Sequence, residues 1–100
     1  MNALEMIIDE RQRQVEEGWT PEHDDRHDDG EMAQAAACYA MDDVLRGLYF
    51  PTDGDRVPDA WPWQAHWWKP SPDDRIRELV KAGALVVAEI ERLQRAEAGE

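Results

Sequence analysis

Residues 71–96, which read SPDDRIRELVKAGALVVAEIERLQRA, decide the fold of this 100-residue chain. Apolar side chains recur in this stretch at intervals of three and four residues, the period of one face of an α-helix. Ser71 is placed to cap the helix, Pro72 suits its first position, and two aspartates follow near the positive end of the helix dipole. We therefore predict a helix from Ser71 to about Ala96. Its buried stripe consists of Ile76, Leu79, Val80, Gly83, Val86, Val87, Ile90 and Leu93.

A second helix is predicted at the N-terminus. It runs from Asn2 to Glu17, where the spacing of Asn2 and Glu5 is that of a capping box. Gly18 follows as a stop signal.

A third helix is predicted between these two, from about Asp29 to Arg46. Asp28 and Glu31 have capping-box spacing, and Gly47 follows the end. Its centre is rich in alanine, which lets a neighbouring helix approach closely. The sequence thus predicts an all-α fold, a single three-helix domain over residues 1–100 with long connections rich in proline and tryptophan.

Composition excludes several classes of function. The chain carries 11 Lys and Arg against 23 Asp and Glu, a formal net charge of −12, which opposes direct binding to nucleic acid or to an anionic membrane. Cys38 is the only cysteine, which fits a reducing compartment. No apolar run approaches the ~18 residues that span a bilayer. We expect a cytoplasmic protein with no membrane association.

The first connection concentrates imidazoles and carboxylates. His23 and His27 are four residues apart, so on one helical turn they could point at a common ion, with Asp24 or Asp28 beside them. The alternative is a short turn that begins at Thr20-Pro21, with a solvated acidic loop after it. The spacing lacks the HExxH pattern that makes a metal site specific, so we predict no metal and no other cofactor.

The second connection holds four of the five tryptophans. They occur in the groups Trp61-Pro62-Trp63 and Trp67-Trp68-Lys69-Pro70. One interpretation is that they complete a small core. The other is that some of them form an aromatic and basic pocket that stacks on a planar ring and neutralises a phosphate. The predicted ligand-binding residues are Trp19, His23, Asp24, Asp25, Trp63, Trp67, Trp68, Lys69 and Arg75.

The chain as a whole resembles a group of small proteins carried by phages and prophages of Gram-negative bacteria, a group with no established activity. The resemblance implies an origin and a site of action in the host cytoplasm. The resembling stretches are ERQRQ (10–14), GWTPEHDD (18–25) with His27, GEMA (30–33), AAACYA (35–40), WPW (61–63), WWKP (67–70) and LVKAGAL (79–85).

A fainter resemblance is to the ryanodine-receptor repeat domain. It rests on Gly18-Trp19, Asp24-Asp25 and an Asp74-Arg75 pair that leads into an apolar helix, although Thr20-Pro21 replaces the expected tyrosine-glycine. The resemblance implies recognition of a nucleotide-like molecule around Trp19, Asp24, Asp25 and Arg75.

Three functions are therefore weighed. The first is a non-enzymatic phage protein that captures a nucleotide-derived ligand. Such a protein would act in counter-defence by sequestering a host signal. The second is an acidic inhibitor that mimics nucleic acid and binds a host defence protein. The third is a pyrophosphohydrolase of the MazG type, but Gln34 and Arg13 stand where its paired carboxylates are expected, and no catalytic residue is predicted. Homodimerisation through the apolar helix of residues 71–96 is also expected, because so small a domain gains core from a partner.

Overall fold

The first helix forms where its capping signals lie. In a computed structural model, which describes residues 1–49 and 57–99, helix α1 spans Ala3–Glu16. The Asn2 side chain accepts a hydrogen bond from the Glu5 N–H at 2.9 Å, and the Glu5 carboxylate accepts one from the Asn2 N–H at 3.1 Å. The predicted capping box is confirmed. Gly18 follows with φ 111°, a left-handed conformation that glycine adopts without strain.

The first connection contains a one-turn helix, α2, over Pro21–Asp24. Thr20 caps it, because its hydroxyl accepts a hydrogen bond from the His23 N–H at 3.2 Å. The turn therefore begins where Thr20-Pro21 in the sequence predicts it.

The predicted continuous helix from Asp29 to Arg46 is wrong, because the structure divides it in two. Helix α3 spans Glu31–Ala40 and helix α4 spans Asp43–Tyr49, with extended backbone at Met41 between them. The Asp42 side chain accepts from the Leu45 N–H at 2.8 Å and so starts a new helix.

The start of α3 also differs from the prediction. Gly30, at φ 84°, occupies the N-cap position in place of Asp28. The Glu31 carboxylate instead accepts from the Asp29 N–H at 2.7 Å and contacts His27 Nδ1 at 3.0 Å. A glycine cap replaces the predicted capping box.

The last helix, α5, spans Arg75–Ala98 and begins three residues after Pro72, its predicted first position. Asp74 is its cap, since the Asp74 carboxylate accepts from the Arg77 N–H at 3.0 Å. Before it, residues 57–74 contain a short 3-10 helix over Ala65–Trp67. Residues 50–56 of the predicted long connection lie outside the part that the structure describes.

Helix α5 packs against both α3 and α1. Small side chains bring α3 and α5 together, including Ala35 and Cys38 on α3 and Ala82 on α5. Burial raises the pKa of the Cys38 thiol to about 11, which fits an unreactive core residue. At Gly83 an added Cβ would lie 2.8 Å from Ile7 Cδ1, so this glycine lets α1 cross α5 closely. The all-α prediction is confirmed.

The predicted buried stripe of α5 is largely wrong. Ile76, Leu79, Val86, Ile90 and Leu93 are between 45% and 62% exposed. The buried positions are instead mostly small or charged, because the helix turns its alanine-rich side toward the rest of the chain. They are Glu78, Val80, Ala82, Ala84, Ala88 and Arg92.

Within residues 1–49 and 57–99, no helix has both the length and the apolar character needed to cross a bilayer.

Candidate functional site

All five tryptophans take part in one row of ring contacts. Successive ring centroids are separated by 5.4 Å from Trp67 to Trp19, 5.6 Å from Trp19 to Trp63, 5.3 Å from Trp63 to Trp61, and 5.0 Å from Trp61 to Trp68. Trp61 and Trp68 are buried, whereas Trp67 is 44% exposed. The row therefore runs from the core to the surface, and its inner part, Trp61 and Trp68, completes the core as one interpretation predicts.

The inner end of the row is anchored to α3 by Tyr39. Its ring stacks on Trp68 at 4.7 Å and meets the edge of Trp61 at 5.6 Å. The Tyr39 hydroxyl accepts a hydrogen bond from the Lys69 N–H at 3.0 Å. Trp68, predicted to contact a ligand, belongs instead to the core, because its ring is enclosed by Tyr39, Trp61 and the guanidinium of Arg46.

The outer end of the row forms one wall of a cavity of about 430 Å³, which we name the aromatic cavity. This volume is in the range of pockets that hold small organic ligands. Its floor is built by α1 and α5. The lining residues are Glu10, Arg11, Arg13, Gln14, Glu17, Trp19, Asp24, Met32, Tyr39, Trp61, Trp63, Trp67, Lys69, Arg77, Lys81, Leu85 and Ala88.

A buried carboxylate organises two arginines on the floor of the cavity. Glu10 is 2% exposed and accepts hydrogen bonds from Arg13 at 2.8 and 2.7 Å and from Arg77 at 2.6 Å. Burial alone would raise the pKa of Glu10, but the bonds and charges of Arg13 and Arg77 hold this pKa below its usual 4.5. Glu10 therefore stays ionised and fixes both guanidinium groups beside the cavity.

The two lysines of the chain also line the cavity. Lys81 Nζ donates to the Lys69 carbonyl at 2.6 Å and to the Ser71 hydroxyl at 3.2 Å. Burial lowers the pKa of Lys81, and the positive charges of Arg77 and Arg13 lower it further. In the part of the chain that the structure describes, neither lysine forms an ion pair with a carboxylate.

Trp19 is held at the cavity by a buried ion pair. Arg11 donates to Asp24 at 2.5 Å and to the Trp19 carbonyl at 3.1 Å. Asp24 is 1% exposed; burial raises its pKa, which the charge of Arg11 only partly offsets. Asp24 lines the cavity as predicted for a ligand contact, but its carboxylate is engaged by Arg11 and positions Trp19 through it.

A second depression, the side cleft, lies behind the aromatic wall. It shares Trp19, Trp63 and Trp67 with the aromatic cavity and is also lined by His23 and His27. Within residues 1–49 and 57–99, His23 Nδ1, His27 Nε2 and Trp63 Nε1 are buried and have no hydrogen-bond partner. His23 packs its ring edge on Trp19 at 5.0 Å. His23, predicted to contact a ligand, does not line the aromatic cavity but lies in the side cleft, where its ring packs against Trp19.

Two predicted site residues lie away from the cavity. Asp25 is exposed and pairs with Arg95 at 2.8 Å, which ties α2 to α5. Arg75 donates to the carbonyls of Tyr39 at 3.0 Å and Met41 at 3.2 Å, and also to that of Ala40. It thereby satisfies the open C-terminal end of α3. Neither side chain faces the site.

Sequence reasoning brought together Trp19, Asp24, Trp63, Trp67 and Lys69, and it missed the charged floor. A signal for the floor exists. Arg77 and Lys81 are one turn apart on α5, and Glu10 and Arg13 are one turn apart on α1, so each pair shares a helix face.

The arrangement offers binding chemistry. Aromatic and cationic side chains line the same cavity, which suits a ligand with a planar ring and an anionic group. Among the described residues, no group of three or more His, Cys, Asp or Glu side chains is disposed to hold a metal ion.

No family model, curated protein or solved structure matches the chain at a significant level.

Proposed function

We propose that this protein binds a planar anionic ligand of the nucleotide class in the aromatic cavity and acts by retaining it. The observation that carries the proposal is a concentration of cationic groups. Five of the eleven Lys and Arg side chains line this one cavity, beside the tryptophan wall, in a chain of net charge −12. They are Arg11, Arg13, Lys69, Arg77 and Lys81.

The aromatic wall accounts for the ring of the ligand. Trp19 and Trp67 meet edge to face at 85°, and Trp63 is tilted 43° to Trp19. A ring that enters the cavity contacts these indoles in place of water. Stacking of a base on an aromatic side chain contributes about 1–3 kcal/mol and tolerates different bases, because every base has a π face. The wall therefore favours a planar ring without selecting one base.

The floor of the cavity offers cationic groups to the phosphate of the ligand. Arg11 is engaged by Asp24, Arg13 is paired with both Glu10 and Glu17, and Arg77 shares the charge of Glu10. Lys69 and Lys81 line the same cavity and have no carboxylate partner in the described part of the chain. An anion between the lysines and Arg77 would meet excess positive charge. It would also raise the pKa of Lys81 back toward its usual value.

The carboxylates of the cavity favour retention of a ligand over its chemical conversion. The buried Glu10 and Asp24 carboxylates are both engaged by arginines, so neither is free to act as a general base. For a phage protein, retention of a nucleotide amounts to sequestration of a host signal, and this is the role that we propose.

The proposal is tested by calorimetric titration of the whole chain with three probes. Adenosine 5′-monophosphate offers a ring and a phosphate, adenosine only the ring, and ribose 5-phosphate only the phosphate. We expect the monophosphate to bind at least tenfold more tightly than either partial probe, since a hydrogen bond to a charged group contributes about 1.5–3 kcal/mol and stacking a similar amount. Absence of heat with all three, or equal affinity for all three, contradicts the proposal.

A matched pair of variants locates the phosphate. Lys69→Gln removes a charge at the cavity, and Arg26→Gln removes one from an exposed position in the turn after α2. We expect Lys69→Gln to weaken monophosphate binding about fivefold, as for a charge contact of ~1 kcal/mol at a partly exposed site. Arg26→Gln leaves the affinity unchanged. Equal losses in both variants would show that only the overall charge matters.

A further inference from the structure

One face of α5 carries a line of apolar residues that the rest of the chain covers only at Gly83. Its positions are Ile76, Leu79, Gly83, Val86, Ile90 and Leu93. Successive intervals are three, four, three, four and three residues, the a and d spacing of a coiled-coil seam. We name these six positions the α5 seam.

The seam is open in the folded chain. Its five side chains other than Gly83 are between 45% and 62% exposed. Only Gly83 is covered, by Ile7 of α1, whose Cδ1 would lie 2.8 Å from a Cβ at that position. Beside Ile7 on α1, Leu4 and Ile8 are exposed as well. These residues form an apolar surface on the described part of the chain.

We propose that the α5 seam is the interface of a homodimer and that its occupant is the α5 seam of a second copy. The inference is independent of the proposed ligand, because no seam residue lines the aromatic cavity. Three observations favour a second copy over another partner. They concern the length of the seam, the net charge of the chain and the area of the exposed apolar surface.

The length of the seam matches only another α5 among the described helices. A seam of a and d positions packs against a facing seam of the same period. Helix α5 has 24 residues, whereas the next longest described helix, α1, has 14. Two α5 helices related by a two-fold axis present the same surface to each other, which is the arrangement of most soluble homodimers.

Charge also points to this face. Two copies of net charge −12 repel each other, so they can associate closely only through a surface without acidic groups. The six seam positions carry no charged side chain, although 34% of the residues in the chain are charged.

The exposed area is of the size that a stable dimer requires. From their fractional exposures, the five seam side chains with Leu4 and Ile8 present about 700 Å² per copy, close to the ~800 Å² per partner of standard interfaces. Burial of this surface in a second copy would remove the largest group of exposed aliphatic residues on the described helices.

The test is the mass of the full chain in solution, measured by sedimentation equilibrium at concentrations of tens of micromolar. We expect twice the chain mass of 11.5 kDa for the natural sequence. Ile90→Glu places a charge in the seam at a position that is half exposed in the single chain, so the helix content should persist in circular dichroism while the mass falls to that of one chain.

Ala33→Glu is the matched control, because it makes the same kind of change at an exposed position of α3. We expect this variant to stay dimeric. A natural chain that sediments as a monomer overturns the inference. So does an Ile90→Glu variant that keeps both its helix content and its dimer mass, since the interface would then lie elsewhere.

Discussion

At the scale of single residues, the site depends on one buried carboxylate, Glu10, that holds two partly exposed guanidinium groups in place. Glu10 carries one negative charge and accepts from two guanidinium groups, and Arg77 reaches it from α5, 67 positions along the chain. The same carboxylate that stabilises the contact of α1 with α5 therefore also places Arg13 and Arg77 at the cavity. Glu10 therefore contributes both to the stability of the fold and to the proposed anion site.

Replacement of Glu10 by glutamine should cost about 2 kcal/mol at neutral pH, the scale of lost hydrogen bonds to a charged group. The cost should depend on pH in a defined direction. The pKa of Glu10 is lower in the folded chain than its usual 4.5, so its stabilisation is present above pH 4.5 and is lost as the pH falls through the folded-state value. The measurement is the midpoint of thermal unfolding as a function of pH.

Glu16→Gln serves as the control for this prediction, because Glu16 is exposed on the same helix. We expect its midpoint to follow that of the natural sequence at every pH. A gap between Glu10→Gln and the natural chain that stays constant down to strongly acidic pH would contradict the ionised role of Glu10.

At the scale of elements, α5 presents different residues on each of its sides. One side packs on α1 and α3, another contributes Arg77, Lys81, Leu85 and Ala88 to the cavity, and a third is the exposed seam. The period of its apolar residues predicts a helix correctly but not which face is buried. Three-four spacing is the same whether the stripe meets the core of its own chain or a partner helix.

The start of α5 gives a prediction at the same scale. Asp74→Ala removes the cap and should lower stability by about 1 kcal/mol, a fall of roughly 5 °C in the unfolding midpoint for a domain of this size. Asp73→Ala removes the same charge one position earlier, where the structure places no cap, and should have a much smaller effect. Equal effects of the two substitutions, measured by thermal unfolding, would show that only the charge near the helix end matters.

Local signals explain why the ends of some elements could be predicted and others not. Asn2 with Glu5, and Thr20 with Pro21, act within three residues, so the sequence alone identifies them. The break at Met41 depends on distant partners. Arg75 satisfies carbonyls at the end of α3 from 34 to 36 positions away, and no local pattern reveals such a contact.

At the scale of the whole molecule, charge is distributed unevenly. Most of the surface follows the net charge of −12, while five cationic side chains converge on one cavity from α1, α5 and the tryptophan-rich connection. The tryptophans of this cavity stand out in the sequence, because four of the five lie within residues 61–68. The charged floor gives only a weak signal, the one-turn spacing of Arg77 and Lys81, because its two halves meet only where α1 crosses α5 at Gly83.

The most direct test of the proposed site is to follow the indole N–H resonances of the five tryptophans by NMR during titration with adenosine 5′-monophosphate. Single Trp→Phe substitutions assign the resonances. We predict that the signals of Trp19, Trp63 and Trp67 move in a saturable way, while that of Trp68, enclosed in the core, stays in place. Five unmoved resonances at saturating nucleotide, or a largest shift at Trp68, would contradict a ligand in the aromatic cavity.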